Sequence, residues 1–292
     1  MLSALPPEPL LATAVVQPGA LPSPSAIRVL VAEDNEINCQ VITAQLGLLG
    51  LTAEVAENGE AALVRWRQGG FQLLVTDLQM PVMDGFALAA SVRSEERAPA
   101  RIPIIALTAN ASQEEATRCA AAGMDDCLTK PIKLAALEAT LERLLGRRRG
   151  TAANVSRASP VSPPQRRRQP GVRQPVDAGV LAAVFRDDPS RLDGLFKQFA
   201  SEAAATAVAL AFAVKAGGRG EAGAIAHRLK AAARSVGARR LGNLCAHIET
   251  ADGAGDAVAL AASLSLFRDE VEALGRWVAA RDASASYEQE PG

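Results

Sequence analysis

Short apolar runs recur along the first half of the chain at Ile27–Ala32, Thr52–Ala56, Leu73–Thr76, Ile104–Leu107 and, more weakly, Cys127–Leu128. Each is long enough for a strand and too short for a helix. Amphipathic stretches at 36–49, 59–68, 85–93, 112–122 and 133–145 separate them. Five strands alternating with five helices predict an α/β fold, a five-stranded parallel doubly wound sheet covered on both faces, over 27–146. The period then changes. Residues 177–281 carry helical spacing and no strand signal, and "AGGRGEAG", "VGA" and "DGAGD" break them into segments. That pattern predicts a separate all-α bundle of four or five helices.

Two segments show neither period. Residues 1–26 are proline-rich, and 147–176 hold eight arginines, five prolines and no acidic residue. Both read as disordered, the first a leader and the second an Arg/Pro-rich linker, with 282–292 as a disordered tail. The linker arginines sit on no predicted element and have no aromatic neighbours, so they read as a solvated spacer.

Composition narrows the classes. A chain of 292 residues exceeds most single cores, which fits two domains. A net charge of −1 makes no whole-chain case for nucleic acid. Cys39, Cys119, Cys127 and Cys245 form no CxxC pair, which argues against zinc and fits reduced thiols in the cytoplasm. No run reaches the roughly 18 apolar residues that would span a bilayer, so no membrane span is expected. The apolar patch Leu10–Val16 has no basic residue ahead of it and is not read as a signal peptide.

Candidate chemistry lies where the strands end. In an open parallel sheet functional groups gather at the carboxyl edge. There the first strand runs into Glu33 and Asp34, the third into Asp77, the fourth into Thr108, and the fifth into Lys130 and Pro131. Clustered carboxylates repel one another unless a hard cation sits among them, and an all-oxygen set suits Mg²⁺. A carboxylate beside Mg²⁺ can attack phosphorus, while a hydroxyl and an ammonium offset charge on the phosphoryl oxygens.

The stretches "VLVAEDNEIN", "LLVTDLQMPVMDG", "PIIALTAN" and "GMDDCLTKPI" resemble the receiver domain of two-component response regulators, throughout 27–146. The resemblance implies that Asp77 is the phosphoacceptor and Glu33 and Asp34 the metal-binding acidic pair. It makes the backbone carbonyl of Gln79 a third protein metal ligand, Thr108 the switch hydroxyl and Lys130 the phosphate-pairing ammonium. It also implies a cis Lys130–Pro131 bond. Where the family often places Tyr or Phe, three residues before the lysine, this chain has Cys127.

Only two histidines are present. On a helix of about 100° per residue, Lys230, Ala231 and Arg234 fall within about 60° of His227, and Ile225, Leu229 and Val236 fall on the opposite side. That places an imidazole at the centre of a basic, sterically low surface, suited to attack an acyl phosphate. His247 flanks an apolar stripe of Leu241, Leu244, Cys245 and Ile248 and is given no chemical role. "AHRLKAAARSVGARRLGNLCAHIE" resembles the histidine phosphotransfer domain, over about 177–281. The resemblance makes His227 the phosphorylated histidine and Lys230 its adjacent lysine; the family commonly has Gly where Ala231 stands.

A receiver followed by a phosphotransfer bundle resembles the carboxy-terminal half of multi-step phosphorelay hybrid sensor kinases. Asp77 is then expected to exchange a phosphoryl group with His227, which passes it to or from a separate receiver. A linker of about 30 residues spans roughly 30 Å, enough for the two to meet. With no ATP-binding kinase core, the chain is expected to take phosphate from a separate histidine kinase, or from one of which it is a split part. A response regulator is the expected downstream partner, and no nucleic acid is expected. Two rivals are a receiver-controlled transcriptional regulator with a DNA-binding bundle and a Mg-dependent phosphohydrolase. The first lacks a helix-turn-helix pattern, and the second lacks an acid where Gln79 stands.

Overall fold

The computed structural model describes residues 27–97, 101–109, 112–146, 174–217 and 220–287. The expected leader 1–26, residues 147–173 of the expected linker and the last five residues of the expected tail lie outside them.

The first unit runs β1 (Arg28–Ala32), α1 (Glu36–Leu48), β2 (Thr52–Ala56), α2 (Gly59–Arg67), β3 (Leu73–Asp77), α3 (Gly85–Glu95), β4 (Ile104–Thr108), α4 (Gln113–Ala121), β5 (Asp126–Thr129) and α5 (Leu134–Leu145). All strand pairs are parallel, in the order β2-β1-β3-β4-β5. The central strands are nearly continuous apolar runs because both faces are covered, whereas edge strands β2 and β5 stay half-exposed. Local sequence starts the helices. The side chains of Asn35, Asn58, Asp84 and Ser112 each accept the backbone N–H three residues on, capping α1, α2, α3 and α4. Leu30, Leu74, Ile104 and Leu88 fill one side of the sheet, and Val31, Val75, Ile105, Leu46 and Leu137 the other.

The second unit holds the short α6 (Gly179–Ala182) and four longer helices, α7 (Pro189–Ala216), α8 (Glu221–Ser235), α9 (Arg239–Ala254) and α10 (Ala257–Tyr287). Gly217 and Gly255 take positive φ just past α7 and α9, ending them as the glycine breaks predict. With few aromatics, the core closes through Ala203, Ala226, Ala232 and Ala233 around Phe196, Phe199 and Phe267.

Two expectations change. Val176, assigned to the linker by composition, is buried in the bundle core. The final helix continues to Tyr287, into the stretch expected as tail, because 282–287 contain no glycine or proline to stop it. Among the described residues, α7 is long and, on average, apolar enough to cross a membrane. Alanine raises that average without forming an unbroken run of large apolar side chains. The helix places Leu192, Leu195, Phe196, Phe199 and Leu210 in the bundle core.

The units meet at α1, which has two apolar faces. Ile42 and Leu46 enter the core under the sheet, while Ile37 and Val41, one turn apart on the other face, belong to the bundle cluster. Burying side chains of this size contributes about 1.5–3 kcal/mol each. Hydrogen bonds from Asn35 Nδ2 to Glu202 Oε1 (2.9 Å) and from Gln40 Nε2 to Gln198 Oε1 (2.7 Å) tie α1 to α7.

Candidate functional site

The strand order reverses between β1 and β3, and the chain places Glu33, Asp34 and Asp77 at that crevice. One ligand oxygen from each of the three carboxylates lies within 4.8 Å of the others. Lys130, which directly follows β5 and precedes a cis bond to Pro131, donates from Nζ to Glu33 Oε2 (2.6 Å) and Asp77 Oδ2 (2.7 Å). Glu33 is buried, and its other oxygen accepts Asn38 Nδ2 at 2.9 Å. Burial, reinforced by the Asp77 charge and opposed by Lys130, pushes the Glu33 carboxyl up to about 7. Asp34 reaches solvent on one side but is crowded on the other. Desolvation and Asp77 raise it, while Lys130 and Arg228 offset part of the effect. Burial works to deprotonate Lys130, yet Glu33 and Asp77 outweigh it and hold the ammonium above its ordinary range.

The loop after β3 shapes the mouth. Gly85 opens α3 against the strand end, where a Cβ would lie 2.1 Å from the Asp77 carbonyl oxygen, so no side chain fits. The backbone N–H of Gln79 points at Asp77 Oδ1 over a long 3.4 Å. Thr108, buried at the end of β4, donates its hydroxyl to Glu115 Oε2 at 2.5 Å. Cys127 lies with its sulfur 4.0 Å from that of Cys119, both as free thiols. Burial is the main reason its thiol is pushed up to about 12.

The bundle closes the opposite side of the same cavity. A space of about 430 Å³ is lined by Glu33, Asp34, Asp77, Gln79, Thr108 and Lys130 from the sheet unit and by His227, Arg228, Lys230 and Ala231 from α8. The His227 Nε2 meets the side-chain Oε1 of Gln79. Its Nδ1 lies 3.3 Å from both Glu249 Oε2 and Lys230 Nζ, and Lys230 donates to the same Glu249 oxygen at 2.5 Å. All eight sequence-predicted site residues therefore reach one cavity.

The basic surface expected around His227 is corrected by Glu249. This carboxylate, on α9, lies between His227 and Lys230 and neutralises the lysine. Burial works to raise it, but hydrogen bonds from His227 and Lys230 prevail and hold it below the ordinary carboxylate range. Arg234 does not line the cavity, whereas Arg228 does. His247 is exposed on α9, away from the cavity. Asn38, Arg228 and Glu249 carry no local signal of a site, and Glu115 reads locally only as the glutamate of a Ser-x-x-Glu helix start, until a strand end or another helix is brought against each.

Fold and site together define a doubly wound sheet whose acidic crevice faces a histidine borne on a helical bundle. Residues 29–142 match the response regulator receiver domain and residues 194–277 match the Hpt domain. The chain thus joins two domains of two-component phosphorelays, receiver first. The virulence sensor protein BvgS of Bordetella pertussis is 42% identical over 126 residues, covering 42% of this chain and 10% of BvgS. The hybrid signal transduction protein dokA of Dictyostelium discoideum is 47% identical over 113 residues, 39% of this chain and 7% of dokA. The chain thus spans about a tenth of the length of the curated relatives it matches. Among solved structures, a receiver domain of a Pseudomonas aeruginosa sensor histidine kinase, with magnesium in its active site cleft, is 36% identical. It covers 42% of this chain and all of that one, at TM-score 0.39.

Proposed function

We propose that this chain is a phosphorelay intermediate in which Asp77 accepts a phosphoryl group and exchanges it with His227 of the same molecule. One observation carries the reading: the imidazole of His227 enters the cavity that holds Asp77, against Gln79, two residues from it. Glu33, Asp34 and Asp77, with the backbone carbonyl of Gln79, would hold Mg²⁺. One oxygen from each carboxylate lies within 4.8 Å of the others, and an all-oxygen set of this kind suits a hard cation. The cation supplies charge neutralisation at the phosphoryl oxygens.

The chain's own groups do the rest. In the forward step the Nε2 lone pair attacks phosphorus, the bond from phosphorus to the Asp77 oxygen breaks, and the carboxylate leaves. Nε2 must therefore be unprotonated, with the ring proton on Nδ1, where Glu249 accepts it. Gln79 Oε1 facing Nε2 favours the opposite tautomer, so the reacting state requires the Gln79 side chain to turn. Lys130 and Thr108 offset charge on the transferring group, and Lys230 keeps Glu249 in place. A histidine kinase upstream, a response regulator downstream and a cytoplasmic setting complete the reading.

The test is to label the full chain with a small phosphodonor and Mg²⁺ and to separate base-labile from acid-labile phosphate. Wild type should gain the first and convert it to the second. His227→Gln should hold label in the base-labile form, and Asp77→Asn should gain none of that form. Acid-labile label in the His227→Gln chain would sink the assignment.

A further inference from the structure

Glu115 lines the Asp77 cavity, yet nothing in the transfer just described uses it. It is the third residue after the α4 N-cap, Ser112. In a Ser-x-x-Glu start the glutamate ordinarily reaches back to the backbone N–H of the cap residue, so that two orphan donors are satisfied reciprocally. Here only half of that arrangement is present. The Glu115 backbone N–H donates to Ser112 Oγ at 3.2 Å, but the carboxylate turns towards β4 and accepts the Thr108 hydroxyl at 2.5 Å.

A threonine hydroxyl has a single proton to donate. While that proton is committed to Glu115, it is not available to an oxygen on a phosphorylated Asp77. The phosphoryl oxygens and the Glu115 carboxylate therefore compete for one donor. We propose that Glu115 is a positioning residue that acts through Thr108, holding the hydroxyl in the unphosphorylated state and releasing it when Asp77 is phosphorylated. Once released, the carboxylate is free to accept the Ser112 N–H and complete the cap of α4. Phosphoryl arrival at Asp77 is thereby transmitted to the start of α4 without an aromatic side chain, at a site where Cys127 offers none. The inference rests on Asp77 being the acceptor.

The experiment measures the initial rate of base-labile labelling of the full chain by acetyl phosphate with Mg²⁺. Glu115→Ala should label about fivefold faster, the worth of one net hydrogen bond. Glu115→Gln, whose amide oxygen still accepts the hydroxyl, should fall between it and wild type. In a Thr108→Ala chain, the added Glu115→Ala change should leave the rate unaltered. Hydrogen exchange at the Ser112 amide should slow on phosphorylation of wild type and not of Glu115→Ala. An unchanged rate in Glu115→Ala overturns the proposal. Equal acceleration by Ala and Gln, or acceleration that persists without the Thr108 hydroxyl, also overturns it, because removal of charge alone then explains the effect. Base-labile label in Asp77→Asn would instead refute the acceptor assignment, independently of Glu115.

Discussion

Glu33 is pulled two ways: Lys130 favours its charge, and burial disfavours it more strongly. Its carboxyl, raised from 4.5 to about 7, keeps a proton that an exposed glutamate would have lost. In the cation-free chain its contribution to stability is fully present below about 4.5 and is lost as pH rises through about 7. The Mg²⁺ proposed for Glu33, Asp34 and Asp77 would compete with that proton, so its affinity should climb with pH and level off above about 7. Titration calorimetry at pH 6 in buffers of different ionisation enthalpy should reveal proton release that is absent at pH 8. Identical heats in all buffers at pH 6 would refute this account of Glu33. Glu249 shows what sequence could not reveal at this scale. It lies 22 residues beyond His227 on the next helix, and only the packing of α8 on α9 brings its carboxylate to Nδ1. The strand-end carboxylates were legible because parallel strands all deliver their ends to one edge.

At the scale of elements, β3 and α3 meet too closely for any side chain at Gly85. Gly85→Ala would set a methyl 2.1 Å from the Asp77 carbonyl oxygen and 3.0 Å from Thr76 Oγ1, so the strand end must shift. Overpacking of this kind costs about 1–3 kcal/mol. A lower urea midpoint should accompany slower labelling of Asp77, and an unchanged midpoint with normal labelling would mean the strand end is softer than this geometry implies. Strands and most helices of the sheet unit could be read from apolar runs and capping residues, because both are local. The two faces of α1 could not. Ile37 and Val41 look like ordinary core positions, and only the structure shows that they serve the bundle while Ile42 and Leu46 serve the sheet. Val41→Asp should accordingly leave Asp77 labelling near wild type but slow transfer to His227 more than tenfold, since a carboxylate buried at α1 without a partner costs several kcal/mol. Equal loss of both activities would mean that Val41 supports the sheet unit itself.

Across the whole molecule, Asp77 and His227, the proposed donor and acceptor, share one cavity and one chain. Covalent linkage gives His227 an effective concentration on the order of millimolar at Asp77, well above the micromolar range of an ordinary assay. Conversion of base-labile to acid-labile phosphate should therefore proceed at a rate independent of protein concentration over a hundredfold dilution. A rate that falls in proportion to dilution would mean that transfer runs between chains and that the α1 contact plays no part in it. The same contact has a cost for the next step. With α8 set over the acidic crevice and His227 against Gln79, a separate receiver cannot approach the imidazole until the two units part. Weakening the contact should then act in opposite directions on the two halves of the relay. Val41→Asp is expected to slow transfer from Asp77 to His227, while speeding passage from pre-phosphorylated His227 to an added receiver severalfold. If the substitution slows both, the α1 surface acts as scaffold rather than gate. If it slows neither, the contact between the units has no hold on phosphate flow.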